Sequence, residues 1–289
     1  MKKILITGCN GLLGQRFIEL HYKDYHITAL SRSPIASPKL RVNYCVSDYS
    51  CDSLVPMFSR QDAVIHLAAT RLYKGKDCYQ VNTTLDSEVF KAAEMASVPH
   101  LIFASTRGVY GGKGPWQEED AISPHNPYAF GKAQSELSAL YYTRIKGQTI
   151  TILRLAQILS DQEYEGGMLR TFFDRAERGL PLHLTAADIS REYLYIDDAV
   201  DAFKAVIDSD GPAGIYNLGS GESVTIESIT QIIADTYGVT VQKSPELKSM
   251  DEFSLMDSST FRNTFNWTPN FTFELAVKDI VQKRKYDDR

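Results

Sequence analysis

The chain is poor in the features that carry metal, disulfide, membrane and nucleic-acid chemistry. Its four cysteines, Cys9, Cys45, Cys51 and Cys78, show neither CxxC spacing nor a dense pattern, which argues against a structural metal cluster or a disulfide framework. No metal is expected. No apolar run approaches the roughly 18 residues that a membrane span requires. The amino-terminal Met1 to Thr7 pairs two lysines with a short apolar run that meets Gly8 before a signal-peptide core can develop. The expected compartment is a reducing cytoplasm, with no membrane partner. Positive charge is also scarce: 31 Lys and Arg stand against 36 Asp and Glu, a net charge of -5, so nucleic acid is not an expected partner. An anionic ligand must then be held by local groups. Internal repeats and low-complexity segments are absent, which excludes a solenoid.

What is present is an alternation of short β-prone runs and helical patterns over 289 residues, a length that favours about two domains. Lys3 to Thr7 is the first such run. It leads into Gly8-Cys9-Asn10-Gly11-Leu12-Leu13-Gly14 and then a helical pattern with Leu13, Phe17 and Leu20 on one face. Strand, glycine turn and helix, in that order, suit a dinucleotide. The glycines allow a tight turn and close approach to a pyrophosphate, and the helix amino terminus favours its charge. The alternative is a loop that merely needs small residues.

The second run, His26 to Leu30, ends in Ser31-Arg32-Ser33. An acidic residue there would suit the ribose hydroxyls of NAD, whereas an arginine suits the 2′-phosphate of NADP. NADP is therefore favoured, with NAD second; otherwise Arg32 is a solvated loop charge. Leu40 to Val46 and Ala63 to Leu67 are further strands, and Leu67, Ala68 and Ala69 would let a cofactor lie against the backbone. Asp48 and Asp62 stand at segment edges, where an exposed turn acid is the simpler reading. Cys78 to Ser97 has helical spacing with Val81, Leu85, Val89 and Ala92 on one stripe, and His100 to Ser105 is a fifth strand. This alternation predicts an α/β fold with a Rossmann-type doubly wound parallel sheet. A smaller carboxyl-terminal α/β domain would bind substrate. Residues 1–155 would form the nucleotide-binding domain, with 190–208 returning to it, and 156–289 would be mainly the substrate domain.

Ligands of such sheets bind beyond the carboxyl ends of the strands, where Ser105 and Thr106 fall. Asn126 and Pro127 read as an N-cap and first helical residue. They start a helix that carries Tyr128 and Lys132 four residues apart on one face. A phenol beside an ammonium is a proton-transfer device, because the positive charge stabilises the phenolate. Alone, such a pair is an ordinary surface feature. Its combination with the glycine turn and the hydroxyl-ended strand makes a redox active site the better reading.

Gly8, Gly11 and Gly14, Ser105-Thr106 before Val109-Tyr110-Gly111, and Tyr128 with Lys132 together resemble the extended short-chain dehydrogenase/reductases, specifically the NAD-dependent epimerase/dehydratase family of nucleotide-sugar enzymes. The resemblance continues in Arg191-Glu192-Tyr193-Leu194-Tyr195-Ile196-Asp197-Asp198, in Gly214-Ile215-Tyr216-Asn217-Leu218-Gly219-Ser220-Gly221 and in Trp267-Thr268-Pro269. It implies hydride transfer coupled to acid-base catalysis. Tyr128 would take the substrate proton, Lys132 would depress the tyrosine pKa, and Thr106, ahead of Ser105, would bond the reacting oxygen. Asn10, Leu12, Leu13, Ser31, Ser33, Asp48 and Asn82 complete the candidate cofactor contacts.

Sugar 4,6-dehydratases of this family carry an Asp-Glu pair after the threonine, where this chain has Arg107 and Gly108, so dehydration is disfavoured. Gln157 stands where nucleotide-sugar relatives usually have asparagine. Arg191 is implied to grip a diphosphate, with a structural ion pair as the alternative. The leading expectation is an NAD(P)-dependent epimerase acting on a nucleotide sugar through a transient keto intermediate. The runner-up is an NADPH-dependent reductase of a sugar or small carbonyl compound. A non-catalytic NADP-binding redox sensor is the third class, disfavoured because Tyr128 and Lys132 are both present. The family also implies a homodimer through the helices near Cys78 to Ser97 and Tyr128 to Lys146.

Overall fold

The computed structural model describes residues 1–35, 39–70, 79–162, 167–186, 189–209, 211–248 and 252–287; Cys78 lies outside them. Strand β1 (Lys3–Thr7) passes through the glycine turn into α1 (Leu12–His21), and β2 (His26–Ser31), β3 (Asn43–Val46), α2 (Cys51–Phe58), β4 (Ala63–His66) and α3 (Tyr79–Met95) follow. Next come β5 (Leu101–Thr106), a single 3₁₀ turn (Arg107–Val109), α4 (Pro127–Lys146) and β6 (Ile150–Leu155). The second half adds β7 (Gln157–Leu159), α5 (Met168–Glu177), β8 (Leu182–Ala186), β9 (Ser190–Tyr195), α6 (Ile196–Asp208) and β10 (Gly214–Leu218). It ends with β11 (Ser223–Thr225), α7 (Ile226–Tyr237), β12 (Val241–Lys248), α8 (Ser259–Phe265) and α9 (Phe273–Asp287).

Seven strands form one sheet in the order β10-β6-β5-β4-β1-β2-β3, and every pairing within it is parallel. The order in which strands are added reverses between β1 and β4, which opens a crevice at their carboxyl ends. This is the doubly wound α/β sheet that the alternation predicts. Both faces are covered, as an all-parallel sheet requires: Phe17 of α1 and Phe203 of α6 share one buried cluster, and Phe58 of α2, Phe90 of α3 and Ala139 of α4 share another. The second half lends this layer α6 and β10. A third apolar cluster, with Phe173, Leu184, Ile229 and Val277, joins α5, β8, α7 and α9, beside the small sheets β11-β9-β7 and β12-β8.

Two helix faces differ from the periodicity reading. In α1 the buried residues are Gly14, Phe17, Ile18 and His21, while Leu20 is 40% exposed. In α3 Val81 is 51% exposed, and the buried face is Asn82, Asp86, Val89, Phe90, Ala92 and Ala93. Two polar side chains, Asn82 and Asp86, thus join the buried face, while Val81 leaves it and Leu85 packs at its edge. The segment Lys243 to Met256, which reads as a polar connection, begins in β12, paired parallel with β8. Among the described residues no helix is long and apolar enough to cross a membrane, and no cluster of three or more His, Cys, Asp or Glu could hold a metal ion.

Candidate active site

The glycine turn is packed so closely that side chains cannot replace its hydrogens. Gly8 has φ +69°, and a Cβ there would lie 2.7 Å from Ala68 Cα and N; at Gly14 a Cβ would lie 2.5 Å from the Gly8 carbonyl oxygen. Both distances are below any real Cβ contact, so glycine is required on steric grounds. Gly11 is the N-cap of α1 without a side-chain capping bond, which leaves the first-turn N–H groups, including those of Leu12 and Leu13, to an outside acceptor. A pyrophosphate fits this cradle. Asn10 flanks it, its carbonyl taking a hydrogen bond from Gln15 Nε2 at 3.1 Å.

The turn is braced by Tyr49, which the sequence reading missed. Its hydroxyl accepts from Gly8 N at 3.1 Å and donates to the Leu30 carbonyl at 3.1 Å. Burial pushes its pKa up to about 12, so it remains a neutral donor. Ser31 is buried with its hydroxyl turned to the Ser33 carbonyl, whereas Arg32 and Ser33 are exposed at the end of β2. The exposed Asp48 carboxylate accepts from Ser50 N at 2.9 Å and Ser50 Oγ at 2.8 Å, bonds that hold it below the ordinary carboxylate range. It is therefore engaged in the turn leading to α2.

Asn126 caps α4 as the sequence predicts, its Oδ1 accepting from Ala129 N at 2.8 Å, with Pro127 in the first turn. Tyr128 is half-buried, and Lys132 is 2% exposed. The start of α4 packs on the end of β5: a Cβ added at Gly108 would lie 3.2 Å from Ala129 Cβ. Thr106 Oγ1 caps the intervening turn by accepting from Gly108 N at 3.2 Å. The strand-end hydroxyl and the tyrosine-bearing helix therefore meet at one corner.

Ser105 does not share that corner. Alternation along β5 sends its side chain to the other face of the sheet, where its hydroxyl donates to Glu136 of α4. Glu136 and Arg154 form a buried ion pair, Nη2 to Oε2 at 2.7 Å, exposed by only 2% and 4%. Arg154 Nη1 continues to Tyr110 Oη at 2.8 Å, and Tyr110 donates to Asn217 Oδ1 at 2.6 Å. Burial opposes the Arg154 charge, and the Glu136 bonds outweigh it. The hydroxyl of Ser105, the second candidate for the catalytic oxygen contact, is thus bonded to a carboxylate.

A second buried network lies under Lys132. Its Nζ is 3.4 Å from Asp86 Oδ2 and 4.3 Å from the centre of the Phe103 ring. Asp86 Oδ1 is 2.8 Å from His66 Nε2, and His66 Nδ1 is 2.7 Å from Thr7 Oγ1. Thr7 Oγ1 also accepts from the N–H groups of Leu67 and Ala68, both at 3.2 Å. Ala68 is the residue that presses on Gly8, so hydrogen bonds run unbroken from Lys132 to the nucleotide cradle. Asn82 anchors the neighbouring loop by accepting from Thr70 N at 2.7 Å and donating to Thr70 O at 2.8 Å; Ala69 lies between Ala68 and Thr70 in the chain.

On the opposite side Arg191 of β9 pairs with Glu252, Nη2 to Oε2 at 3.1 Å, while its Nε is buried without a partner among the described residues. Burial opposes its charge and Glu252 outweighs burial. The ion-pair alternative for Arg191 is thus present. Arg107 is half-buried nearby, its pKa lowered first by burial and then by the Arg191 charge. Gln157 is half-buried at the start of β7 and opposes Tyr193 of β9.

Comparison with known proteins follows the same outline. The NAD dependent epimerase/dehydratase family model matches residues 4–219. The chain is 28% identical over 255 residues to the dTDP-4-dehydro-6-deoxyglucose reductase of Escherichia coli, covering 80% of each. Among solved structures, UDP-N-acetylglucosamine 4-epimerase from Bacillus cereus superposes with TM-score 0.89 at 29% identity, over 99% of this chain and 100% of that one. UDP-glucose 4-epimerase from Thermus thermophilus, solved with NAD, gives TM-score 0.81 at 24% identity over 98% and 99% of the two chains. With the match spanning most of its length and its fold shared throughout, the chain belongs to the NAD dependent epimerase/dehydratase family.

Proposed function

We propose that the protein is an NAD(P)-dependent epimerase that inverts a hydroxyl-bearing carbon of a nucleotide sugar through a transient keto intermediate. The observation that carries this reading is Lys132, a buried cation one helical turn from Tyr128 on the helix whose first turn packs against the Thr106 corner. The cradle of Gly8, Gly11 and Gly14 would hold the cofactor pyrophosphate, with Leu67, Ala68 and Ala69 beside it. A nicotinamide held there supplies a hydride acceptor and donor.

The chain's own residues handle the proton. Tyr128 takes it from the sugar hydroxyl as the carbonyl forms and returns it to the same oxygen afterwards. Lys132 favours the phenolate by its charge, and Thr106 Oγ1 hydrogen-bonds the oxygen as it becomes a carbonyl. Arg191 takes the diphosphate, since a guanidinium fork matches phosphate geometry. Gln157 offers an amide to the same region. The absence of an acid pair at Arg107 and Gly108 argues against loss of water.

Arg32, exposed at the end of β2 with no acidic residue beside it in sequence, favours NADP and gives weight to a second reading: an NADPH-dependent reductase of a sugar or small carbonyl compound. A stripe of exposed apolar side chains on α3 and α4, Val81, Phe130, Leu137, Tyr141 and Ile145, supports the homodimer. The two activities separate at 340 nm. With UDP-sugars and cofactor, an epimerase forms the epimer without net absorbance change, and Tyr128→Phe binds cofactor yet forms none. Undiminished turnover by that variant would sink the proton-transfer role.

A further inference from the structure

The carboxylate under Lys132 has no part in the proton transfer described above, yet it is the anion paired with the lysine of that site. Asp86 is completely buried, as is His66, and both lie inside an apolar shell that includes Phe90 and Phe103. A charge in such a place is costly unless paired and hydrogen-bonded. Here His66 bonds Oδ1 and Lys132 bonds Oδ2.

The hydrogen-bond pattern fixes the protonation state of the group. Asp86 as a carboxylate can only accept, so His66 Nε2 carries the proton and Nδ1 accepts from the Thr7 hydroxyl. The imidazole is then neutral, in keeping with burial holding its pKa down. Burial also opposes ionisation of Asp86, and the Lys132 charge with the His66 bond outweighs it. Asp86 and Lys132 form the charged pair, and His66 is a neutral clamp. Ser135 on α4 also faces the Asp86 carboxylate, and Glu136, the next residue of α4, is neutralised by Arg154.

We propose that Asp86, clamped by His66, is a positioning residue that fixes the Lys132 ammonium one turn from Tyr128 and sets how much of its charge the phenol feels. A bare ammonium would stabilise the phenolate strongly. An anion on its far side offsets part of that field. Because Thr7 and His66 also carry the Ala68 contact, the same clamp ties the lysine to the cofactor cradle. The inference rests on the proton-transfer role of Tyr128 and Lys132 but on no particular sugar.

The test is a titration of Tyr128 in the full-length protein with NAD bound, by carbon-13 NMR of labelled tyrosine, with Tyr128→Phe identifying the resonance. Asp86→Asn removes the anion and keeps a side chain of the same size. Its Tyr128 midpoint should fall on the order of one pH unit, and the pH profile of turnover should move the same way. Asp86→Ser should give the same direction. A Tyr128 midpoint unchanged or raised in a folded variant overturns the proposal. So does failure of both variants to fold by circular dichroism, which would make the carboxylate a core group only. Failure of every nucleotide sugar to turn over would strike the proposed function and leave this titration readable.

Discussion

Replacing Glu136 by alanine should be among the most damaging single changes in the chain that leaves the catalytic side chains themselves in place. Arg154 is buried at 3% exposure, and three of its hydrogen bonds go to Glu136: Nε to both oxygens at 3.2 Å and Nη2 to Oε2 at 2.7 Å. Without the carboxylate, the guanidinium keeps, among the described residues, Tyr110 Oη and the Glu118 carbonyl, both on Nη1. An uncompensated buried charge of this kind costs about 3–5 kcal/mol, a large share of a typical total of about 5–15 kcal/mol. The double change Glu136→Leu with Arg154→Met removes both charges and fills the space. It should recover all but about 1–2 kcal/mol. Urea denaturation followed by circular dichroism, with midpoints and slopes fitted for the wild type, the singles and the double, gives the coupling energy. A loss under about 1 kcal/mol for Glu136→Ala would refute the reasoning, because that is the range of a solvated ion pair.

The same network separates two adjacent hydroxyls. Ser105→Ala should lower stability by about 1 kcal/mol through the lost bond to Glu136 and leave kcat within a few-fold, whereas Thr106→Val should lower kcat by about 100-fold or more; steady-state kinetics on both variants checks this. Asp197, bonded to Arg16 at 2.6 and 2.7 Å, titrates below the ordinary range because the Arg16 bonds outweigh burial. Its contribution is present above the unfolded pKa of about 4 and is lost as pH falls through the lower folded value. The stability gap between wild type and Asp197→Asn should thus be full at pH 7 and close as pH falls below about 4, as read by denaturation at each pH. Arg32→Ala should weaken NADP binding at least about 10-fold, the value of a lost charge-assisted bond, with NAD binding unchanged by titration; equal losses would remove the 2′-phosphate role.

Much of the site is legible in the chain because its chemistry is local. Gly8, Gly11 and Gly14 announce themselves through a turn between strand and helix, and Asn126, Pro127, Tyr128 and Lys132 through capping and a four-residue spacing. The parallel sheet follows from alternation alone. The buried ion networks do not follow from anything local. Asp86 sits at a helical position that periodicity assigns to solvent, and only the fold brings His66 and Lys132 around it. Glu136 and Arg154 are each ordinary surface residues in sequence and become a buried pair only when α4 lies on β6. Tyr49 is invisible for the same reason, since its partners Gly8 and Leu30 come from the far side of the crossover. The partner of Arg191, Glu252, lies in a stretch whose polarity suggested a plain connection.

The central claim is that one carbon of the sugar gives up a hydride and receives it back inside the closed site. It is tested most directly with a UDP-sugar that the enzyme turns over, carrying deuterium at the carbon whose configuration inverts. Proton NMR and mass spectrometry of the product should find the deuterium retained on that carbon in the epimer, with no net change at 340 nm. Loss of the label to solvent, or its appearance in a stoichiometric amount of released reduced cofactor, would contradict the account.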